Sequence, residues 1–566
     1  MSDIRPRTFV RASARGQADA QQFQRLPRGM RIAVGGLMRV VRNLALLFAC
    51  LACTGQERAP RGAEAVRKWK EDLAYFRTQV PLLHLDFFRS LPRASFDNML
   101  TTLESRLPRM ADHEVMVELA RIVAAAGPRN GHTLVNLRGP AAAFHRLPIQ
   151  MYEYTDGVFL RSVSQEHAVL VGARVLSIGG TPIAEALARA VEITPADNPM
   201  TKKAQTPYAL MLTEVLRALR IAPGKPADPV ELEVVLGDGT RNTVSLTPMA
   251  SLRGVQWIDL RPAIPEKNYT YEYDEASKAM IVRYNAVQND PEESIAAFFA
   301  RVFALADEKR AEKFVLDMRE NGGGDNTLNL PILHGLIRRA DTIGRPGHLF
   351  VLIGRGTFSA AQNLVTQLET HTAAIFVGEP TGGSPNQFGD TVTIELPNSR
   401  LPVHLSWRFW QDSESEDLRT WLAPQLAAEL SSADARSGRD PALQTALTYR
   451  PEPDVAELVQ RALTNGNPDQ VLASWRADPR HKWARADYAL FKLAGILFAT
   501  SREQALRVVE LNARAYPDSR LAQYTLGTAY ENLDRIAEAR AAYERALAID
   551  SKFAPVRAGL ERLKRR

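Results

Sequence analysis

Hydrophobic residues follow different patterns along the chain, and the pattern changes at a few positions. Between residues 60 and 130, apolar positions recur about every 3.6 residues, as in Asp97–Leu107 and Glu114–Ala125, which predicts amphipathic helices. Residues 145–255 alternate short apolar runs with glycine turns, a pattern typical of a small β-rich module. From 455 to 566 the helical period returns. The chain is therefore predicted to contain several domains.

Residues 268–450 carry the pattern of an α/β domain. Continuous apolar runs at Lys313–Met318, His348–Ile353 and Ala373–Val377 predict strands that are buried on both faces of a parallel sheet. Apolar residues at i, i+3, i+4 and i+7 predict a helix between the last two runs: Ala361, Leu364, Val365 and Leu368.

The last stretch has the spacing of small and aromatic residues found in tetratricopeptide (TPR) repeats. The residues at these positions are Gly527, Tyr530, Ala539, Tyr543 and Ala546. A second, degenerate repeat places Ala505 beneath Ala539. Fewer than three repeats rarely stand alone, so we expect residues 455–566 to pack on the neighbouring domain and to offer a surface to a protein partner.

The formal net charge of +7 lies in the first part of the chain. Residues 1–53 contain nine arginines against Asp3 and Asp19, so the remainder is neutral. This distribution gives no reason to expect a nucleic-acid partner.

Residues 1–53 are predicted to be a leader with a bacterial-type secretory signal. The apolar run Leu44–Ala52 is too short to span a bilayer, follows Arg39 and Arg42, and ends among small residues. The only cysteines, Cys50 and Cys53, are candidate sites for a lipid anchor. We therefore expect an exported protein, periplasmic or membrane-anchored as a lipoprotein; a disordered tail with a short buried helix is the alternative. No disulfide framework or thiolate metal site is predicted elsewhere.

Ser359 is the candidate nucleophile. It follows a buried strand and a glycine turn, and it precedes the predicted helix, where free backbone N–H groups favour negative charge. The Ala360 N–H would donate to an oxyanion formed by attack of Ser359. The alternative is that Ser359 only caps the helix, as serine often does.

A glycine cluster follows the preceding strand, in Asp317–Gly324. Consecutive glycines let backbone N–H groups approach a ligand closely, which suits an oxyanion hole, with Gly323 as the preferred donor. A plain turn is the alternative.

Together these segments resemble the tail-specific (C-terminal processing) family of serine peptidases. Asp-x-Arg-x-Asn-x-Gly-Gly, then Ser-Ala-x-Gln, then Gly378-Glu379-Pro380-Thr381-x-Gly383 follow three successive strands. The resemblance covers roughly residues 65–450. It implies a multidomain α/β protein with a crotonase-like (ClpP/crotonase-type) catalytic core at 268–450, a PDZ-like module at 145–255 and a helical cap at 60–140. It implies no metal or organic cofactor.

One position departs from the Ser–Lys members of this family. The lysine expected after Gly383 is Ser384, and Lys202 and Lys203 lie far outside the core. The chain is more similar to the tricorn-like branch, which pairs serine with histidine and glutamate. That resemblance implies His132, in Gly-His-Thr, as the base; an exposed loop histidine is the alternative.

His84 is the reserve histidine, and we expect it to pack in the helical cap. The resemblance also implies an acid near Glu416, which follows Ser359 by 57 positions. Glu414 and Asp417 remain alternatives, and so does a solvated acidic loop.

The predicted activity is hydrolysis of peptide bonds in protein or peptide substrates through an acyl-enzyme. Ser359 is the nucleophile, His132 the base, and Ala360 and Gly323 the oxyanion donors. A catalytically inactive scaffold that binds peptides or apolar ligands is the alternative. An esterase is a third possibility, lowered by the absence of a Gly-x-Ser-x-Gly elbow.

Overall fold

The computed structural model of the protein describes residues 61–260, 267–415 and 417–565. The predicted leader, with Cys50 and Cys53, and the predicted acid Glu416 lie outside these residues. Within the described ranges, no helix is both long enough and apolar enough to cross a membrane.

Three helices and a short strand open the described chain. The apolar faces of the helices pack together, with Phe76, Phe96, Leu100 and Leu119 fully buried. The elements are α1 (Ala63–Leu83), α2 (Arg93–Arg106), α3 (Asp112–Ala124) and β1 (Leu134–Val135).

A seven-stranded antiparallel sheet follows, with three helices inserted into its connections. Its elements are β2 (Ile149–Tyr154), β3 (Gly157–Ser164), β4 (Arg174–Ile178), β5 (Thr181–Pro182), α4 (Ile183–Ala190), α5 (Pro199–Ala209), α6 (Thr213–Ala218), β6 (Val230–Val235), β7 (Arg241–Leu246) and β8 (Trp257–Asp259). The strand order is β2-β3-β4-β6-β7, with β5 beside β4 and β8 beside β3. One hydrophobic cluster runs from helices α1–α3 into this sheet, so the two regions share a core.

The α/β region contains a six-stranded sheet, most of it parallel. Its elements begin with β9 (Tyr269–Asp274), β10 (Ala279–Tyr284), α7 (Ile295–Glu308), β11 (Lys313–Asp317), α8 (Leu330–Ile337), β12 (Leu349–Ile353), α9 (Ala360–His371) and β13 (Ile375–Gly378). Strands β10 to β13 are parallel, and β9 is antiparallel to β10. Because β11 and β12 are parallel neighbours, the glycine cluster after β11 and the serine turn after β12 leave the sheet at the same edge.

A long hairpin, absent from our sequence predictions, connects the front of the chain to this core. It consists of β14 (Asn386–Glu395) and β15 (Pro402–Gln411), and β16 (Leu426–Ala427) then joins the main sheet beside β13. Strand β15 pairs with β14 on one side and with β1 on the other, where Leu134 opposes His404. This pairing brings the segment around residue 132 to the edge of the sheet where the glycine cluster and the serine turn lie.

Helices complete the chain. They are α10 (Ser432–Ser437), α11 (Pro441–Thr448), α12 (Val455–Asn465), α13 (Pro468–Ala477), α14 (Asp487–Phe498), α15 (Arg502–Ala515), α16 (Arg520–Asn532), α17 (Ile536–Ile549) and α18 (Ala554–Lys564). Trp483 and Trp421 pack edge to face with ring centroids 6.3 Å apart, so these helices contact the preceding domain.

The small residue at 527 is explained by an aromatic ring. Tyr543 is fully buried, and a Cβ on Gly527 would overlap its ring. Gly559, from α18, contacts the opposite side of the same ring, since a Cβ there would come within 2.7 Å of it. The alternation of small and aromatic residues seen in the sequence is therefore a packing requirement.

We expect Gly527→Ala to lower the free energy of unfolding by about 1–3 kcal/mol, because the added methyl group overpacks the Tyr543 site. Gly495→Ala is the matched control, since it lies inside helix α14 with no atom within 4 Å of its Cβ position. The control should be neutral or stabilising by about 0.5–1 kcal/mol. Denaturant unfolding of both variants measures this; equal stabilisation would contradict the packing account.

Candidate active site

Ser359 lies in the turn between strand β12 and helix α9. Its backbone has φ +56° and ψ −129°, a conformation that residues other than glycine adopt rarely. Such a conformation costs about 1–3 kcal/mol and persists only where surrounding contacts fix the backbone. Here the Phe358 N–H donates to the Asn321 carbonyl at 3.0 Å, and Gln387 Nε2 donates to the Ser359 carbonyl at 3.0 Å.

The Ser359 hydroxyl does not cap the helix that follows it. Its side chain accepts no hydrogen bond from the first turn of α9. Instead Oγ lies 2.8 Å from His132 Nε2, although the two residues are 227 positions apart. The alternative interpretation of Ser359 as an ordinary helix cap therefore does not describe its hydroxyl.

His132 is held by the strand that follows it and by the ring beside it. Thr133 Oγ1 accepts from the Ser406 N–H at 3.1 Å, which fastens the start of β1 to β15. The imidazole stacks on Phe358 with ring centroids 4.4 Å apart and an angle of 23°. The ring keeps one edge open to the cavity above Ser359.

Burial lowers the pKa of His132 to about 4, against the opposing effects of the Asp390 charge and the Phe388 carbonyl. The imidazole is therefore neutral at pH 7. In the tautomer with its proton on Nδ1, Nε2 is free to accept the Ser359 proton. Nδ1 is buried and makes no hydrogen bond of normal geometry to any described residue.

Neither alternative acid has a described hydrogen bond to His132. The Asp417 carboxylate accepts from Ser413 Oγ at 2.7 Å and pairs with Arg419 at 2.8 Å. Glu414 contributes its carbonyl, which accepts from Asn386 Nδ2 at 2.8 Å. Glu416, between them in sequence, lies outside the described residues.

Asp390 is a charged neighbour that our sequence reasoning missed. Its charge raises the pKa of His132, and it lines the same cavity as His132 and Ser359. Its backbone has φ +46°, and its carboxylate lies 3.4 Å from Arg408 on the paired strand. The sequence signal was weak, because the hairpin that carries Asp390 was itself not predicted.

The glycine loop lies directly against Ser359. A Cβ on Gly323 would come within 2.5 Å of Ser359 Cβ and 2.9 Å of the Ala360 nitrogen, and its φ is +103°. No side chain fits at this position. The glycine at position 323 of the motif therefore has a steric reason.

The N–H groups of this loop are not equivalent as oxyanion donors. The Gly323 N–H, our preferred donor from sequence, already donates to Asn321 Oδ1 at 2.9 Å. Gly324 lines the cavity, and no acceptor for its N–H occurs among the described residues. The same holds for Ala360. In this structure Ala360 and Gly324 are thus the donors available beside Ser359.

A cavity of about 280 Å³ opens above Ser359 and His132. One wall carries Arg408, whose guanidinium stacks on Trp410 at 3.8 Å from the ring centroid. Asn326 and Thr327, which follow the glycine loop, also line the cavity. The cavity therefore combines polar groups with an aromatic surface.

No lysine lines this cavity among the described residues. Ser384, at the position expected for a lysine base, is buried and donates from Oγ to the Thr420 carbonyl at 2.9 Å. Lys203 lies near Arg355 and Glu379, and burial lowers its pKa.

His84, the reserve histidine, is buried and hydrogen-bonded away from Ser359. His84 is buried; its Nε2 lies 2.9 Å from Asn130 Oδ1, and its Nδ1 accepts from the Asp86 N–H at 3.0 Å. Both ring nitrogens are occupied, so His84 is not available to Ser359. No group of three or more His, Cys, Asp or Glu side chains within the described part of the chain is arranged to hold a metal ion.

Solved protein structures resemble this chain in structure, but their sequences are only distantly similar to it. No family model and no curated protein matches the chain. Mature CPAF is 14% identical to this chain, with a TM-score of 0.47. The match covers 71% of this chain and 99% of the CPAF chain. The photosystem II D1 C-terminal processing protease is 14% identical, with a TM-score of 0.35, covering 66% of this chain and 98% of its own.

The tricorn protease is 10% identical, with a TM-score of 0.29, covering 67% of this chain and 36% of its own. These three proteins are similar to this chain in structure only, at 10–14% sequence identity. All three TM-scores lie below 0.5, so the function is inferred from the chain's own residues.

We expect Gly323→Ala to slow labelling of Ser359 by a fluorophosphonate by about 100-fold or more, because the added methyl group displaces the serine turn. Gly322→Ala is the matched control in the same loop, since no atom lies within 4 Å of its Cβ position. The labelling rate of each variant measures the effect. Equal rates for the two would contradict the steric role of Gly323.

Proposed function

We propose that the protein is a serine peptidase that hydrolyses peptide bonds of protein or peptide substrates through an acyl-enzyme. The observation that carries the proposal is the 2.8 Å contact between His132 Nε2 and Ser359 Oγ. It joins a neutral imidazole to a hydroxyl that is exposed to a cavity at a helix N-terminus. A serine beside a base in such a position is the arrangement that nucleophilic catalysis requires.

In the first step, His132 accepts the Ser359 proton while Oγ attacks the substrate carbonyl carbon. The carbonyl oxygen becomes an oxyanion, which Ala360 N–H and Gly324 N–H stabilise. The His132 imidazolium then donates its proton to the leaving amine, and the C–N bond breaks. Water, deprotonated by His132, attacks the acyl-enzyme and releases Ser359.

The imidazolium formed in these steps needs a negative partner. Its pKa of about 4 in the free protein makes the charged form costly. We propose Glu416 as the acid that accepts from Nδ1–H, with Asp390 adding a second negative charge to the same cavity. The role of Glu416 rests on the family resemblance, and that of Asp390 on its effect on the ring.

The wider assignment follows the same resemblance. We propose a tail-specific peptidase of the tricorn-like branch, with a crotonase-like core, a PDZ-like module formed by β2–β8 and TPR-like helices from α12 onward. The antiparallel sheet and the packing of Tyr543 between two glycines support the last two. Export, with a possible lipid anchor at Cys50 or Cys53, is a proposal that rests on the leader sequence.

The strain at Ser359 argues against an inactive scaffold. A protein that only binds peptides has no use for a costly backbone conformation that turns a hydroxyl away from its capping role and towards a histidine.

We expect Ser359→Ala to abolish fluorophosphonate labelling and peptide hydrolysis, because it removes the attacking atom. Ser162→Ala is the control, since Ser162 Oγ bonds to Asp259 in the β-rich module at 2.6 Å. Mass spectrometry of the labelled protein and a fluorescent casein assay measure the two effects. Labelling that persists in Ser359→Ala would favour the scaffold.

We expect His132→Asn to lower kcat about 10⁴–10⁶-fold, because the serine then lacks a proton acceptor. His404→Asn is the control, a histidine on β15 whose ring bonds to Thr393 at 2.8 Å. Steady-state kinetics on both variants decides the role of His132. Retained kcat in His132→Asn would require another base.

A further inference from the structure

A buried carboxyl outside the Ser359–His132 pair joins two loops of the site. Asp197 is fully buried in the segment that leads into helix α5. Its Oδ1 accepts from the Gly131 N–H at 2.7 Å, and its Oδ2 accepts from the Ser384 N–H at 3.3 Å. Its own carbonyl accepts from the Arg129 N–H at 3.0 Å. Gly131 directly precedes His132, so Asp197 holds the histidine loop at two points.

The next residue, Asn198, fastens the loop that precedes Ser384. Asn198 Nδ2 donates to the Gly382 carbonyl at 3.0 Å and to the Thr420 carbonyl, while its Oδ1 caps helix α5. The Gly382 N–H in turn donates to the Thr357 carbonyl at 3.0 Å, two residues before Ser359. A chain of hydrogen bonds thus runs from the turn that carries Ser359 to the loop that carries His132.

The loop has no room to move at this contact. A Cβ on Gly131 would come within 2.9 Å of Asp197 Oδ1 and 3.0 Å of the Phe358 ring. The Phe358 ring also stacks on His132. A small shift of the Asp197 carboxyl would therefore be transmitted to the imidazole.

We propose that Asp197 is a positioning residue for the hydrolytic reaction, whose carboxylate fixes the His132 loop relative to the Ser359 turn. The inference rests on the proposed peptidase function. Asp197 touches neither the substrate nor the reacting atoms; it acts through the placement of Nε2 against Oγ. A misplacement of about 1 Å at a reacting group can cost on the order of 100-fold in rate.

Protonation of Asp197 should weaken this connection. Each oxygen of the carboxylate accepts an N–H group strongly, whereas a protonated oxygen becomes a donor and a weaker acceptor for its N–H group. Burial raises the pKa of Asp197 to about 6, against the lowering effects of the two N–H groups and of Arg129. Arg129 is the charged group that acts on Asp197 directly, and Arg89 and Asp417 act on Arg129 in turn.

The pH dependence has opposite signs for stability and activity. The pKa of the folded state lies above the ordinary value of 3.8, so this carboxyl contributes stability below about pH 4, and the contribution is lost as pH rises through about 6. Activity should instead fall as pH drops below about 6, because the carboxylate is lost. His132, with a pKa of about 4, is still neutral in that range.

The test is Asp197→Asn in the full chain, with kcat and KM measured on a peptide substrate between pH 4.5 and 8. Asparagine keeps the shape of the aspartate side chain, but its NH₂ group is a donor that faces one of the two backbone N–H groups. The hydroxyl of the protonated acid faces that N–H group in the same way. We expect kcat to fall about 10–100-fold at pH 8, with KM changed less than about twofold. The decline of activity near pH 6 should disappear.

Asp72→Asn is the matched control. Asp72 is also fully buried and accepts two backbone N–H groups, from Asn398 at 2.7 Å and Ser399 at 2.9 Å, away from the cavity. A purely structural effect of losing a buried carboxylate would lower stability in both variants without altering the pH profile. We expect Asp72→Asn to keep the kcat and the pH profile of the wild type.

An unchanged kcat and an unchanged decline near pH 6 in Asp197→Asn would overturn the inference while leaving the peptidase intact. If that variant does not fold, the wild-type profile decides: a decline of kcat near pH 6, with the fold intact by circular dichroism, supports the inference, and a flat profile down to about pH 5 overturns it. Failure of the proposed function is separate, since the wild-type protein would then neither hydrolyse peptides nor react with fluorophosphonate.

Discussion

The candidate active site depends on one hydrogen bond between residues that are far apart in the chain, the 2.8 Å contact of His132 Nε2 with Ser359 Oγ. Neither partner could make it from its own domain. The histidine reaches the site because β1 pairs with β15, and the serine faces it because the glycine loop and Gln387 hold a strained backbone in place. Strain at a single residue is stable only within such a set of fixed neighbours.

Electrostatics then determine what this contact can do. A buried imidazole with a pKa of about 4 is unprotonated at neutral pH, so it is free to accept a proton. The same low pKa means that its protonated form is unfavourable. A negative charge near the ring would lower the free-energy cost of the imidazolium in the proposed reaction. Asp390 supplies part of this field, and the loop around Asp417 and Glu414 carries further acidic residues near Asn386. In the proposed reaction, an imidazole that is free to accept a proton must therefore form a charged state that burial makes costly.

Local patterns predicted much of the fold and placed Ser359 at the start of a helix. The apolar runs that form β11 and β12, and the helical spacing after Ser359, are visible because burial on both faces leaves a continuous signal. The pairing of Ser359 with His132 came from a family resemblance, and the two side chains lie 2.8 Å apart in the structure. Other features depend on distant contacts: the occupied N–H of Gly323, the left-handed backbone of Asp390, and the two-loop contact of Asp197. No local sequence signal encodes which backbone groups they meet.

The most direct test of the account is a crystal structure of the full chain after reaction with a fluorophosphonate. The account predicts a phosphorus–oxygen bond to Ser359 Oγ, with the phosphonyl oxygen about 2.7–3.1 Å from the nitrogens of Ala360 and Gly324 and His132 Nε2 beside the adduct. An adduct on another residue, or a phosphonyl oxygen directed away from both nitrogens with His132 displaced, would contradict it.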